Sequence, residues 1–267
     1  MKILVPTDFS ENANNALEFA KKLAKNKNAS ITLFYAFYAV YDFASQATEI
    51  IGQIELDAKR ELKKAANKGR EEGLKFDFKI IQGTVATAVT SIALREEYDL
   101  IVMGTQGASG IKKALMGSNT GHVIKESKVP VLAIPSESDW GKENKISVAL
   151  ELENEDEKYF KKMFAITRDL KLPYEFFHIK TEENFEKEIE FKGLEVFLKE
   201  KYPDQNISFT VLDSKEVNKG IEQYLNQNSG AMLVMFSKNK SFFEYLFNKS
   251  TSLEMAYHTH VPLLVVK

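Results

Sequence analysis

The sequence predicts an α/β fold of two tandem domains, each built from five short strands alternating with helices in a parallel sheet. Three observations predict it. Short apolar runs alternate with longer helix-period stretches along the chain, and strands alternating with helices imply crossover units. The runs 100–103 and 232–235 are almost continuously apolar, as strands covered on both faces are. The chain also repeats itself. Asp99-Leu100-Ile101-Val102-Met103 returns 132 residues later as Ala231-Met232-Leu233-Val234-Met235, and the same offset carries Ser118 to Ser250, Val129 to Val261 and Pro130 to Pro262.

In the first half the strands are expected near 2–6, 30–36, 76–82, 99–103 and 130–134, and the helices near 11–26, 46–72, 84–97 and 118–127. Over 11–26, Ala13, Leu17, Ala20, Leu23 and Ala24 recur at spacings of three and four, one buried face. Ser10 stands where an N-cap would, with Glu11 in the first turn. Segment 46–72 mixes charges on a solvated face with Ile50, Ile54 and Leu62 turned inward. Gly117-Ser118 opens the helix at 118. The polar stretch 137–144 has no apolar period and reads as a linker between domains 1–136 and 145–267. The second half opens on Lys145-Ile146-Ser147-Val148, matching Lys2-Ile3-Leu4-Val5, with strands expected near 145–150, 174–179, 207–212, 231–236 and 262–266.

Composition narrows the classes of function. The chain has 267 residues, 44% apolar and 28% charged, the profile of a folded globular protein. No stretch reaches the roughly 20 apolar residues of a membrane-spanning helix, and the N-terminus turns polar at Thr7 and Asp8, too soon for a secretory signal. The absence of cysteine excludes disulfides, thiolate metal sites and cysteine catalysis. A cytoplasmic protein is expected. Residues 1–140 carry 18 basic and 17 acidic side chains, and residues 141–267 carry 18 and 21. Neither half has the basic excess of a nucleic-acid binder.

The most informative motif is Gly104-x2-Gly107-x9-Gly117-Ser118, placed after a strand and before a helix. Glycines at 104 and 107 permit backbone angles that a Cβ obstructs and let amides approach a ligand. A helix opening at Gly117-Ser118 offers unpaired N–H groups and a positive dipole end, which attract phosphate. Ser118 and Thr120 add hydroxyl donors. The alternative is that the glycines only shape a surface loop and Ser118 only caps a helix.

With Val5-Pro6-Thr7-Asp8, the run 99–104, this glycine pattern and Val129-Pro130-Val131-Leu132, the chain resembles a universal stress protein with two tandem domains. The resemblance implies sheets of order 3-2-1-4-5 and binding of ATP or another adenine nucleotide with Mg. It matches Asp8 to the acidic residue that contacts the ribose or the nucleotide-bound metal. Gly104, Gly107, Gly117 and Ser118 fall on the phosphate loop, and Ala36 on the adenine side. Pro6, Thr7, Met103, Asn119 and Thr120 complete the candidate site. In that strand order the loops after Pro6 and Gly104 face one crevice. Asp8 alternatively caps the following helix.

At offset 132 the glycine positions become Phe236, Asn239 and Lys249, and only the serine persists, as Ser250. Pro6 becomes Ala149, and Asp8 becomes Leu150 or Glu151. Phenylalanine is expected to refuse glycine-only angles and to fill phosphate volume, so one nucleotide per chain is expected, in the first domain. Lys238, Lys240 and Lys249 read as a solvated basic loop. The apolar strands 130–134 and 262–266 would be hazardous as bare edges and are expected to pair within the chain as a pseudo-dimer.

His122, His178, His258 and His260 lack metal-ligand spacing and read as surface or part-buried residues. Tyr38, Tyr41 and Phe43 lie towards the expected adenine side, where they either stack on a base or cover the sheet. No GxxxxGK[ST] loop and no nucleophile–base–acid set occurs. Three functional readings follow: an ATP-binding regulator with a protein partner, a nucleotide-free interaction scaffold, and a slow ATPase or autophosphorylating protein using Ser118 or Thr120.

Overall fold

The computed structural model describes residues 1–38, 45–105, 117–138, 141, 143–153, 156–237 and 261–267, with 45–50 by backbone alone. They form two compact units, Met1–Ser136 and Glu137–Lys267. No described helix is long and apolar enough to cross a membrane.

The first unit runs β1 (Lys2–Pro6), α1 (Glu11–Lys27), β2 (Ser30–Phe37), α2 (Ser45–Glu71), β3 (Lys75–Gln82), α3 (Val85–Arg95), β4 (Leu100–Gly104), α4 (Ser118–Glu126) and β5 (Val131–Ile134). Its sheet has the expected order β3-β2-β1-β4-β5, and its described pairings are parallel. Ile3, Leu4, Val5 and Leu100 to Val102 are fully buried, so the central strands carry the core on both faces. Helix α1 begins where Ser10 accepts the Ala13 N–H at 3.2 Å and ends at Asn28, which takes the left-handed conformation at φ 49°. Its buried face is mostly alanine and leucine.

Several boundaries differ from the sequence reading by a residue or two, for local reasons. Helix α3 stops at Arg95 rather than 97, since Glu97 turns to φ 54° and leaves the helix. Strands β5 and β10 start one residue after Pro130 and Pro262, which have no N–H to pair; each proline carbonyl instead accepts from the neighbouring strand, at Ile101 and Leu233.

The second unit runs β6 (Lys145–Leu150), α5 (Glu157–Thr167), a 3₁₀ turn (Arg168–Leu170), β7 (Tyr174–Lys180), α6 (Phe185–Lys201), β8 (Ile207–Asp213), α7 (Val217–Gln227), β9 (Ala231–Phe236) and β10 (Leu263–Val266). Its order β8-β7-β6-β9-β10 repeats that of the first unit. One polar knot is built into this sheet. Glu175 accepts from Lys145 Nζ at 2.5 Å and from the hydroxyls of Thr210 and Tyr224 at 2.8 Å each.

Candidate functional site

The site follows from the sheet order. Strands β1 and β4 are neighbours, with Ile3 opposite Leu100 and Leu4 opposite Ile101. The chain leaves β1 towards β2 and leaves β4 towards β5, so the carboxyl ends of β1 and β4 part and a crevice opens between them. That crevice, with the solvent it opens onto, spans about 730 Å³. Pro6, Thr7 and Asp8 line it from the end of β1, and Ala36 from β2. Met103 and Gly104 line it from β4, and Gly117, Ser118, Asn119 and Thr120 from the start of α4. Every sequence-predicted site residue is thus brought to one cleft except Gly107, which lies outside the described residues.

The turn after β1 is held by its own side chains. Thr7 N–H donates to the Phe34 carbonyl at 2.8 Å, Thr7 Oγ1 accepts the Phe9 N–H at 3.0 Å, and Asp8 Oδ1 accepts the Ser10 N–H at 3.1 Å. Phe9 sits at φ 64°, an uncommon conformation for a bulky residue, with its ring 5.1 Å from that of Tyr35. The cap of α1 is therefore Ser10, not Asp8. Asp8 shapes the turn and is the one charged residue among the described lining of the cleft.

At the other wall the structure corrects three readings. Gly104 has no left-handed φ; its glycine is required by space, because a Cβ there would lie 2.8 Å from the Asn12 amide on α1. Ser118 is not the cap of α4. Gly117 is, at φ −59° and ψ 150°, and it supplies no side-chain acceptor. No acidic residue stands in the first turn either, so the leading amides of α4 keep their hydrogen-bonding capacity towards the cleft. Thr120 is 3% exposed, and its hydroxyl donates to the Gly104 carbonyl at 2.8 Å. It fastens the end of β4 to α4 and has no proton left for a ligand. Gly117 N–H adds a second tie, 2.5 Å to the Thr105 carbonyl.

Asn12, Phe34 and Val85 shape the cleft without having been singled out in the sequence, and Ala13, read there only as part of the buried face of α1, lines it too. Asn12 left a trace there as a polar residue next to that apolar face. Among the described residues no group of three His, Asp or Glu could hold a metal.

In the second unit, Ile146 lies opposite Met232 as Ile3 lies opposite Leu100. This register makes Glu151, not Leu150, the counterpart of Asp8. Phe236 occupies the place of Gly104 without a left-handed φ. It is fully buried, with its ring 5.4 Å from Tyr159 and 5.2 Å from Phe160. Lys238, Asn239, Lys240, Lys249, Ser250, His258 and His260 lie outside the described residues, as do Tyr41 and Phe43. His122 is exposed, whereas His178 is buried.

A family model described as the universal stress protein family matches residues 1–135. Universal stress protein MJ0531 of Methanocaldococcus jannaschii is 34% identical over 140 residues, covering 50% of this chain and 81% of the relative. Universal stress protein YxiE of Bacillus subtilis is 29% identical over 144 residues, covering 50% and 97%. Across the whole length, the crystal structure of a universal stress protein from Archaeoglobus fulgidus superposes with a TM-score of 0.78 at 19% identity, covering 100% of this chain and 98% of that one. That likeness is one of fold.

Proposed function

The chain belongs to the universal stress protein family, and on that footing we propose that it is a stress-response regulator whose first unit binds an adenine nucleotide, ATP in the first instance. The observation that carries the reading is the open amino end of α4. Three successive residues, Ser118 to Thr120, line the same cleft as Asp8 and Gly104. That end meets no side-chain cap and no acidic residue, which suits it to a phosphate held by main-chain N–H groups and the helix dipole. No lysine or arginine is among the described lining, so recognition would fall to the backbone.

In this reading Gly104 and the α4 terminus hold the phosphates. Asp8 takes the ribose hydroxyls or a Mg ion arriving with the nucleotide, since the described residues offer no metal cluster of their own. The ion neutralises phosphate charge when bound. Ala36 and Val85 bound the base. The ties from Thr120 to Gly104 and from Gly117 to Thr105 give a bound nucleotide a way to fix β4 and α4 as one body, the state a partner protein would sense. The second unit takes no triphosphate, because Phe236 fills the place of Gly104.

Thermal unfolding of the full chain with and without Mg-ATP tests the proposal. A ligand at 100 times its dissociation constant stabilises by about 2.7 kcal/mol, and calorimetry should count one site. Asp8→Ala and Gly117→Val should each weaken binding at least tenfold. No stabilisation by ATP, ADP or AMP would overturn it in favour of a nucleotide-free scaffold.

A further inference from the structure

The second unit has an open cleft of its own at the corresponding strand ends. Ile3 pairs with Ile31, and its counterpart Ile146 pairs with Tyr174. Counting on from there, Phe177 stands for Phe34 and Ile179 for Ala36. Val217 opens α7 as Val85 opens α3. The walls that bound a base in the first cleft are thus apolar again in the second. What changes is the polar part. Glu151, Glu153 and Glu182 line the second cleft against one ammonium, Lys187, which lies 3.9 Å from Glu153. That charge balance repels phosphate.

His178 supplies an independent observation. It is 9% exposed and lines this cleft, with Nδ1 2.9 Å from the Leu150 carbonyl oxygen. A carbonyl only accepts, so Nδ1 carries the hydrogen and Nε2 keeps a lone pair. No described residue bonds Nε2. Burial holds the imidazole below its ordinary range, against the pull of the Leu150 bond, and Lys187 acts in the same direction as burial. The ring therefore stays neutral and accepting. An apolar slot edged by an imidazole acceptor and carboxylates is complementary to a ligand with a flat body and several hydrogen-bond donors.

We propose that the second unit binds an uncharged nucleoside, a base and ribose without phosphate, with His178 Nε2 accepting from an amine or hydroxyl of the ligand and Glu151 accepting from the ribose. The choice of a nucleoside rests on the nucleotide reading of the first unit. The duplicated chain would then hold one phosphorylated and one unphosphorylated ligand at matching strand ends.

The test uses the full chain with ¹⁵N-labelled histidine and amides. Adenosine, guanosine, cytidine and uridine are titrated in turn, then ATP, and the His178 resonance is assigned by its loss in His178→Gln. The expected result is a saturable shift of the His178 Nε2 signal with at least one nucleoside and none with ATP. Glu151→Lys, its fold checked by circular dichroism, should weaken that nucleoside at least tenfold. An unmoved His178 signal with all four nucleosides overturns the proposal, as does an equal shift with ATP. Shifts of the Gly104 and Thr120 amides with ATP report the first cleft separately, so either reading fails without the other.

Discussion

Thr120 shows how a residue that reads as a ligand contact serves the scaffold instead. Its hydroxyl donates to the Gly104 carbonyl at 2.8 Å in a buried place. Thr120→Val keeps the volume and removes the donor, so it should cost about 1–2 kcal/mol in urea unfolding and loosen ATP binding, while Thr120→Ser should retain most of both. Gly104 was legible as a position that needs glycine, but the reason was not. The Asn12 amide that occupies its Cβ space comes from another helix, and spacing along a chain does not reveal contacts across it. Glu175 supports a prediction about acid. Burial works to raise its pKa, but the Lys145 ammonium and the Thr210 and Tyr224 hydroxyls outweigh this and hold it below the ordinary 4.5. A carboxyl depressed by folding gives stability that is complete above its unfolded pKa and lost as pH falls through the folded one. Urea midpoints of the native chain should therefore drop more steeply from about pH 5 to about pH 3 than those of Glu175→Gln.

At the scale of elements, α1 was readable because its signals are local. A hydroxyl at Ser10, an acid at Glu11 and a small-residue face all sit within a few turns. Ser10→Ala should destabilise the chain by about 1 kcal/mol, and Ser10→Gly by a few tenths, measured by chemical denaturation. The end of α3 was not readable, because Glu97 adopts φ 54° without a glycine to announce it. The repeats differ in length between their second and third strands. The offset is 143 at β1 and β6 but 132 at β4 and β9. Most of the shortfall is α6, with 17 residues where α2 has 27. Helices on a sheet face can change length without disturbing strand register, so the repeat stayed visible at the strands and blurred between them.

Across the whole molecule, one strand order places two differently lined clefts at corresponding strand ends. The meeting of Asp8 with Gly104 and Gly117 was legible through the switch point that order creates. The cleft around His178 was not, since a lone histidine on a mostly buried strand carries no period or spacing. Phe236→Ala should cost the second unit about 3–5 kcal/mol through the cavity it leaves and leave ATP binding by the first unit unchanged, as calorimetry on the full chain would read.

The asparagine over Gly104 and the rings around Phe236 are alternative ways of filling one volume. Put a glycine at 236 and Tyr159 and Phe160 face a void; put a phenylalanine at 104 and Asn12 must be evicted. Each place is thus matched to its neighbours, and exchanging glycine and phenylalanine between them calls for a compensating change beside each.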